Sequence, residues 1–244
     1  MERFEDEAVV LGTVDFGDAD RLVTLFTKGH GRLTAFAAGA RKSKRRFAGA
    51  LTAGTWLKAS LVSRRGDTFR LDDVSVVQSF HHLQDELSLI ARSLYCLELC
   101  RELTRDAQPH EPLFDALTAY LSLLDQKQAG PTSLLKFELE ALEQAGLQPR
   151  FDACVFCGKA PGPRPRFDAQ GGGAVCEACA GRAPGAGHVP PAVLQALAGL
   201  QQGVRVPLPA EVRARSRELL ARFLTHHLGR KLKSVDFLEQ VGVD

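Results

Sequence analysis

Nothing in the chain reads as a catalytic or nucleotide-hydrolysing motif. There is no Gly-x4-Gly-Lys-Ser/Thr stretch, which excludes a P-loop and with it the expectation of ATP hydrolysis. Gly-x-Gly-x-x-Gly, His-Glu-x-x-His and Gly-x-Ser-x-Gly are absent too, so no dinucleotide fingerprint, zinc-protease helix or nucleophile elbow is present. No apolar run approaches the roughly 20 residues a membrane helix needs. The acidic opening MERFEDEAVV is unlike a signal peptide. The expectation is a cytoplasmic protein that is not an enzyme and makes no membrane contact. No internal repeat is evident.

A second absence is more local. Between Asp20 and Asp67 lie 46 residues without a single acid. At the overall frequency of 29 acids in 244 residues, such a window would hold about five. The same window carries eleven cations: Arg21, Lys28, Arg32, Arg41, Lys42, Lys44, Arg45, Arg46, Lys58, Arg64 and Arg65. Five of them fall in six positions, in GARKSKRRFAG. A solvated face usually mixes both signs, so a one-signed stretch points to a polyanion. The candidate phosphate contacts are Arg32, Arg41, Lys42, Lys44, Arg45, Arg46 and Lys58.

The rest of the chain is ordinary for a globular protein, 45% hydrophobic and 25% charged, with a net charge of +2. That small number hides a basic–acidic–basic layout: +3 over residues 1–80, −6 over 81–149 and +5 over 150–244. Residues 1–80 read as five short strands, AVVLGTVDFG, DRLVTLFTK, GRLTAFAAGA, TWLKASLVSR and DTFRLDDVSVV, with KGHG and RRGD as hairpin signals. Five strands in 80 residues predict a small closed barrel, of OB or SH3-like type. Alternation in GRLTAFA puts Arg32, Thr34 and Phe36 on one face and Leu33, Ala35 and Ala37 on the other; Trp56 shares a face with Lys58. Phe36 and Trp56 either stack a nucleobase beside these cations or close the ends of the barrel core. Asp15, Asp18 and Asp20 in DFGDAD read as a solvated turn.

From His81 the period becomes helical. Leu83, Leu87, Ile90, Leu94 and Leu97 recur on one face, and Leu89, Cys96, Leu99, Cys100 and Leu103 on the other, predicting a helix buried all round. PLFDALTAYLSLLDQ and PTSLLKFELEALEQAGL are further helices, the second closed by Gly146. Helices resume with PAVLQALAGLQ, PAEVRARSRELLARFLTHHLG and SVDFLEQV. In the fifth helix Arg213 and Arg217 share a face that reads either as the solvated side of an amphipathic helix or, with GRKLKS, as an extension of the positive surface. His226 and His227 at its end favour the helix dipole or pack.

Between these helical parts lies a Gly/Pro/Cys segment. Cys154 and Cys157, then Cys176 and Cys179, form two Cys-x-x-Cys pairs with eighteen residues between them. Two tight knuckles joined by a hairpin at QGGG supply the tetrahedron of soft ligands that Zn2+ takes. A redox dithiol would not call for two such pairs. Four thiolates close the coordination sphere, so one structural zinc, not a catalytic one, is expected. Over residues 150–182 the cations exceed the acids by two, and four thiolates on one Zn2+ cancel that excess. The insertion is thus a staple or a protein contact. Cys96 and Cys100, among leucines, read as small core residues.

The layout is α+β: a small closed barrel, OB or SH3-like, over 1–80, a helical domain begun over 81–149, a four-cysteine zinc-finger insertion over 150–189 and the helical domain resumed over 190–244. Three separated stretches, DFGDADRLVTLFTKGHGRLTAFAAGARKSKRRFAGAL, GLQPRFDACVFCG … GGGAVCEAC and HHLGRKLKSVDFL, occur in the order in which they stand in the RecO family of bacterial recombination mediators, which the chain resembles over its whole length. The resemblance implies an N-terminal OB fold, a helical middle and a zinc finger. It also implies binding of single- and double-stranded DNA, strand annealing without ATP, and work beside RecR and single-stranded-DNA-binding protein (SSB) in recombinational DNA repair at the nucleoid. Residues 41–46 fall where that family places DNA contacts. The competing reading is a zinc-ribbon protein that binds RNA or the transcription machinery. A metal-dependent nuclease would need clustered carboxylates on the basic face, which the acid-free window argues against.

Overall fold

The computed structural model describes residues 2–43, 46–63, 68–204 and 207–243. The chain divides into two compact units, Met1–Ala129 and Gly130–Asp244.

The first unit holds the barrel: β1 Arg3–Phe16, β2 Asp20–Thr27, β3 Gly31–Ala37, β4 Trp56–Ser63 and β5 Phe69–Gln78. The strands close in the order β1-β2-β3-β5-β4, and β4 returns to pair with β1. Closure is made by a short parallel ladder, Ala35 with Phe69 and Phe36 with Arg70. That order is the OB topology, which the strand pattern alone left beside an SH3-like one. Register shifts between Val10 and Gly12 on β1, and opposite Trp56/Leu57 and Ser60/Leu61 on β5, bend β1 and β5 enough to close so small a barrel.

Alternation decides what faces inward. In β3, Leu33, Ala35 and Ala37 are buried while Arg32, Thr34 and Phe36 face outward, as the period-2 pattern requires. Val10, Val23, Leu25, Leu57, Leu61 and Leu71 fill the interior. Phe47 and Leu51, from the connection between β3 and β4, plug the same core. The basic stretch is therefore pinned from below by its own phenylalanine.

Two helices complete this unit, α1 Leu87–Leu103 and α2 Glu111–Asp125. Phe114 of α2 packs edge-on against Phe26 and Trp56 of the barrel, with ring centroids 5.7 and 6.2 Å apart. The turn between the helices crosses the start of β3. Gly31 has φ +73°, and a Cβ there would sit 2.0 Å from the Gln108 carbonyl oxygen, so no side chain fits. Along α1, Tyr95, Cys96, Leu99 and Cys100 are fully buried, but Leu87 and Leu94 are 63% and 41% exposed. The helix is one-sided, not buried all round. The two cysteines are core residues, and burial pushes the Cys100 thiol far up.

The second unit contains α3 Ser133–Gln144, a three-stranded sheet of β6 Arg166–Asp168, β7 Gly173–Val175 and β8 Gly187–His188 in the order β7-β6-β8, and α4 Pro191–Gln201, α5 Ala210–Leu228 and α6 Lys233–Gln240. Phe167 of β6 stacks on Phe151 at 5.7 Å and meets Phe223 of α5 edge-on at 6.0 Å. His227 adds a contact with Phe223 and a 3.0 Å hydrogen-bond distance to the Ala169 carbonyl. This aromatic ladder seats the cysteine-rich insertion on α5.

Candidate metal centre and basic face

The first knuckle turns at Gly158, at φ +72°, whose N–H donates to the Cys154 carbonyl at 2.9 Å. The Cys154 N–H donates to the Lys159 carbonyl at 2.8 Å, which closes the turn. The second pair sits on a short 3-10 turn, Glu177–Arg182, where the Cys179 N–H donates to the Cys176 carbonyl at 3.0 Å. Val155 donates to the Ala174 carbonyl at 2.9 Å and fixes the first knuckle to β7, next to the second pair.

The four sulfurs consequently lie within 4.8 Å of one another, Cys157 and Cys176 at 3.7 Å. A tetrahedron of thiolates around one ion, with bonds of about 2.3 Å, has sulfur–sulfur edges of about 3.8 Å. The cluster therefore fits a single soft divalent cation. Cys154, Cys176 and Cys179 are buried and Cys157 is exposed. Burial acts to raise the Cys154 thiol, but backbone N–H groups of Cys176, Phe156 and Cys157 outweigh it and bring the group to about 6. Cys179, hydrogen-bonded to Cys176 and desolvated, is pushed up to about 12. One thiolate forms readily; holding all four needs a cation among them.

The insertion's own charges are largely spent. Arg164 pairs with Glu177 at 2.7 Å, Arg150 with Asp152 at 3.6 Å, and the Arg182 guanidinium lies 4.4 Å over the Phe156 ring.

On the barrel, the acid-free window is met by acids from elsewhere in the unit. Arg32 donates from Nε to Asp106 at 2.7 Å and also reaches the Arg101 carbonyl, so it latches the α1–α2 turn to β3. Lys28 pairs with Glu111 and Asp115 at 3.1 and 3.0 Å, and Lys58 with Glu5 at 2.7 Å. Arg21 and Arg41 share Asp15 at 3.0 and 3.4 Å. These carboxylates lie in β1 or in the helical part of the unit, outside the window, which is why the sequence count missed them.

What remains exposed is the connection between β3 and β4. The Gly39 N–H donates to Asp20 at 2.7 Å, the Arg41 N–H to the Ala19 carbonyl at 2.9 Å, and Phe47 enters the core. Between those anchors Lys42 and Arg46 are exposed and, among the described residues, face no carboxylate within ion-pair distance. Arg46 instead bonds the Ala38 carbonyl and lies 4.5 Å over the Phe47 ring. Lys44 and Arg45 lie outside the described residues, as do Arg64, Arg65 and the RRGD turn. Two arginines not singled out from the sequence, Arg3 and Arg70, converge on Asp72 beside Arg46, lining a recess of about 770 Å3.

The two candidate aromatics differ. Trp56 donates from Nε1 to Glu7 at 3.1 Å and packs on Phe114, so it belongs to the barrel–helix contact. Phe36 faces outward and meets Phe16 edge-on at 5.8 Å. The second basic surface expected on the fifth helix does not form as read: Arg217 is buried against α3, and Arg213 donates to the Leu208 carbonyl at 2.9 Å.

Two family models match the chain in order: Recombination protein O N terminal over residues 1–80, and Recombination protein O C terminal over residues 84–236. Among curated relatives, the DNA repair protein RecO of Myxococcus xanthus is 61% identical over 244 residues, all of both chains. That of Anaeromyxobacter dehalogenans (strain 2CP-C) is 47% identical over 249 residues, 99% of this chain and 98% of the relative. That of Geobacter sulfurreducens is 34% identical over 242 residues, 99% of each.

Proposed function

The chain belongs to the RecO family of non-enzymatic DNA repair and recombination proteins, and from that premise we propose that it binds single- and double-stranded DNA through its barrel and anneals complementary strands without ATP. The observation that carries the reading is the β3–β4 connection, which holds cations outward on a backbone anchored by Asp20, Ala19 and Phe47. A tethered loop of this kind presents positive charge to a phosphate backbone at small entropic cost. Arg41, Lys42 and Arg46, with Lys44 and Arg45 in the same stretch, are its phosphate contacts. Arg32 and Lys58 contribute only by exchanging Asp106 and Glu5 for phosphate.

The four-cysteine cluster holds one structural Zn2+, which locks the two knuckles and so the surface that the insertion presents from α5. Thiolate donors and a closed sphere favour zinc over the harder divalent ions. The protein's partners are RecR and SSB, in the cytoplasm at the nucleoid. No helix among the described residues is long and apolar enough to cross a membrane. A salt titration of binding to single-stranded DNA, duplex DNA and RNA of equal length tests the reading. Binding to both DNA forms with a steep salt slope supports it, and a marked preference for RNA defeats it.

A further inference from the structure

The outer wall of the barrel carries an apolar patch that the core does not explain. Val14 and Phe16 on β1 are 67% and 53% exposed. Val14 stands in register with Leu22 on β2, Leu22 with Phe36 on β3, and Phe36 with Arg70 on β5, so these side chains form one outward row across four strands. Phe16, two residues beyond Val14 on the same face of β1, meets Phe36 at 86° between ring planes. In such an edge-to-face pair each ring keeps a face that its partner does not cover. Phe16, Leu22, Thr34, Phe36, Thr68 and Phe69 line a groove of about 370 Å3 there, within the size range of small-ligand sites.

Exposed aromatic surface is costly in water and marks a contact when it is contiguous and rimmed by polar groups. The rim here names the occupant. Phe36 is the last outward residue of β3, and the basic connection begins two residues later. Arg70 stands beside Phe36 in the ladder and shares the Asp72 carboxylate with Arg3, two cations on one anion. Cations next to a groove of ring faces suit a ligand that is anionic along its length and flat and aromatic at intervals. Thr34 and Thr68 add hydroxyls that bond base edges in any sequence.

We propose that the groove between Phe16 and Phe36 seats an unpaired nucleobase of a single DNA strand whose phosphates lie on the β3–β4 connection. The proposal rests on the reading of that connection as a phosphate contact and deepens it. A paired base is already stacked in its duplex and cannot enter, so the groove adds affinity for single strands alone. One groove captures one or two bases and leaves the neighbours free to pair.

The test compares two probes of equal length and charge, a dT oligonucleotide and the same backbone with abasic sites throughout, by fluorescence anisotropy with the full-length protein. Wild type should bind the dT probe tighter by on the order of ten-fold or more. Phe36→Ala or Phe16→Ala should erase that preference while leaving abasic binding and the salt slope unchanged, and Phe36→Trp should keep it. Thermal unfolding of each variant separates lost stacking from lost fold. Equal binding of both probes by wild type overturns the groove and leaves the phosphate reading standing. Retained preference in both alanine variants also overturns it and assigns the patch to a protein contact. Failure of wild type to bind either probe overturns both readings.

Discussion

Arg217 of α5 donates from Nη1 to Glu138 Oε1 of α3 at 2.7 Å, with the two side chains 10% and 1% exposed. Helices of the second unit that frame the cysteine insertion are thus tied by a desolvated ion pair. Removing one partner strands a buried charge, which costs about 3–5 kcal/mol. Arg217→Met and Glu138→Leu should each lower the unfolding free energy of the full chain, read from urea titration, by that order. The double variant should recover most of the loss, since an apolar pair of similar volume needs no counter-charge. A double variant as unstable as the worse single one would show that shape, not charge, sets the cost.

Arg217 also marks where the sequence stops being readable. Its i, i+4 partner Arg213 suggests a solvated basic stripe, and only the fold reveals Glu138, 79 positions away. The same holds on the barrel. Arg32 meets Asp106 across 74 positions and Lys28 meets Asp115 across 87, so a window counted along the chain overstates the free positive charge. Local signals fared better because their causes are local. The inward run Leu33, Ala35 and Ala37 follows from a two-residue period, and the thiol cluster follows from two short knuckles. The plug formed by Phe47 was not legible, because an aromatic among five cations carries no periodic signal.

Metal removal should act on the second unit. Cys176→Ser takes one of four ligands, and zinc sites of this type contribute on the order of 10–16 kcal/mol to folding of isolated finger peptides. The purified wild type should carry one zinc per chain, released by chelator or thiol-modifying reagent. In the variant, amide exchange around Cys154 and Val175 should rise by orders of magnitude, while affinity for single-stranded DNA changes less than about two-fold. Wild-type protein that is free of metal yet fully protected across the insertion would refute the assignment.

The basic connection predicts a graded salt response. Each phosphate neutralised on a single strand contributes about −0.7 to the slope of log K against log salt. Reversing Arg41, Lys42, Lys44, Arg45 and Arg46 to Glu should flatten the slope by several such steps and weaken all sequences alike. Lys42 and Arg46, which form no ion pair among the described residues, should account for more of the change than Arg41, already bound to Asp15 and the Gly17 carbonyl. Arg32→Ala should lower the stability of the first unit by loosening Asp106 and change the slope by no more than about one such step. A slope unchanged by the five-fold reversal would reduce the stretch to a solvated turn.

Annealing is the last consequence. Two complementary strands repel through their phosphates, and a protein that neutralises both backbones lowers the barrier to their encounter. The barrel offers cations on one anchored connection and an aromatic groove, an arrangement suited to holding backbones while sequestering few bases. With Arg217 buried and Arg213 turned to the Leu208 carbonyl, the Arg213–Arg217 face of α5 is not the second grip that would let one chain hold two strands. Pairing should then require two protein-coated strands to meet, so the annealing rate should rise more steeply than linearly with protein until the strands are covered, then level off. It should be equal with and without ATP, fall with salt in parallel with binding, and drop at least about ten-fold in the five-residue reversal. Mixing dye-labelled complementary strands in a stopped-flow instrument reads all four. A strict requirement for ATP, or full activity in the reversal variant, would remove the barrel from the mechanism.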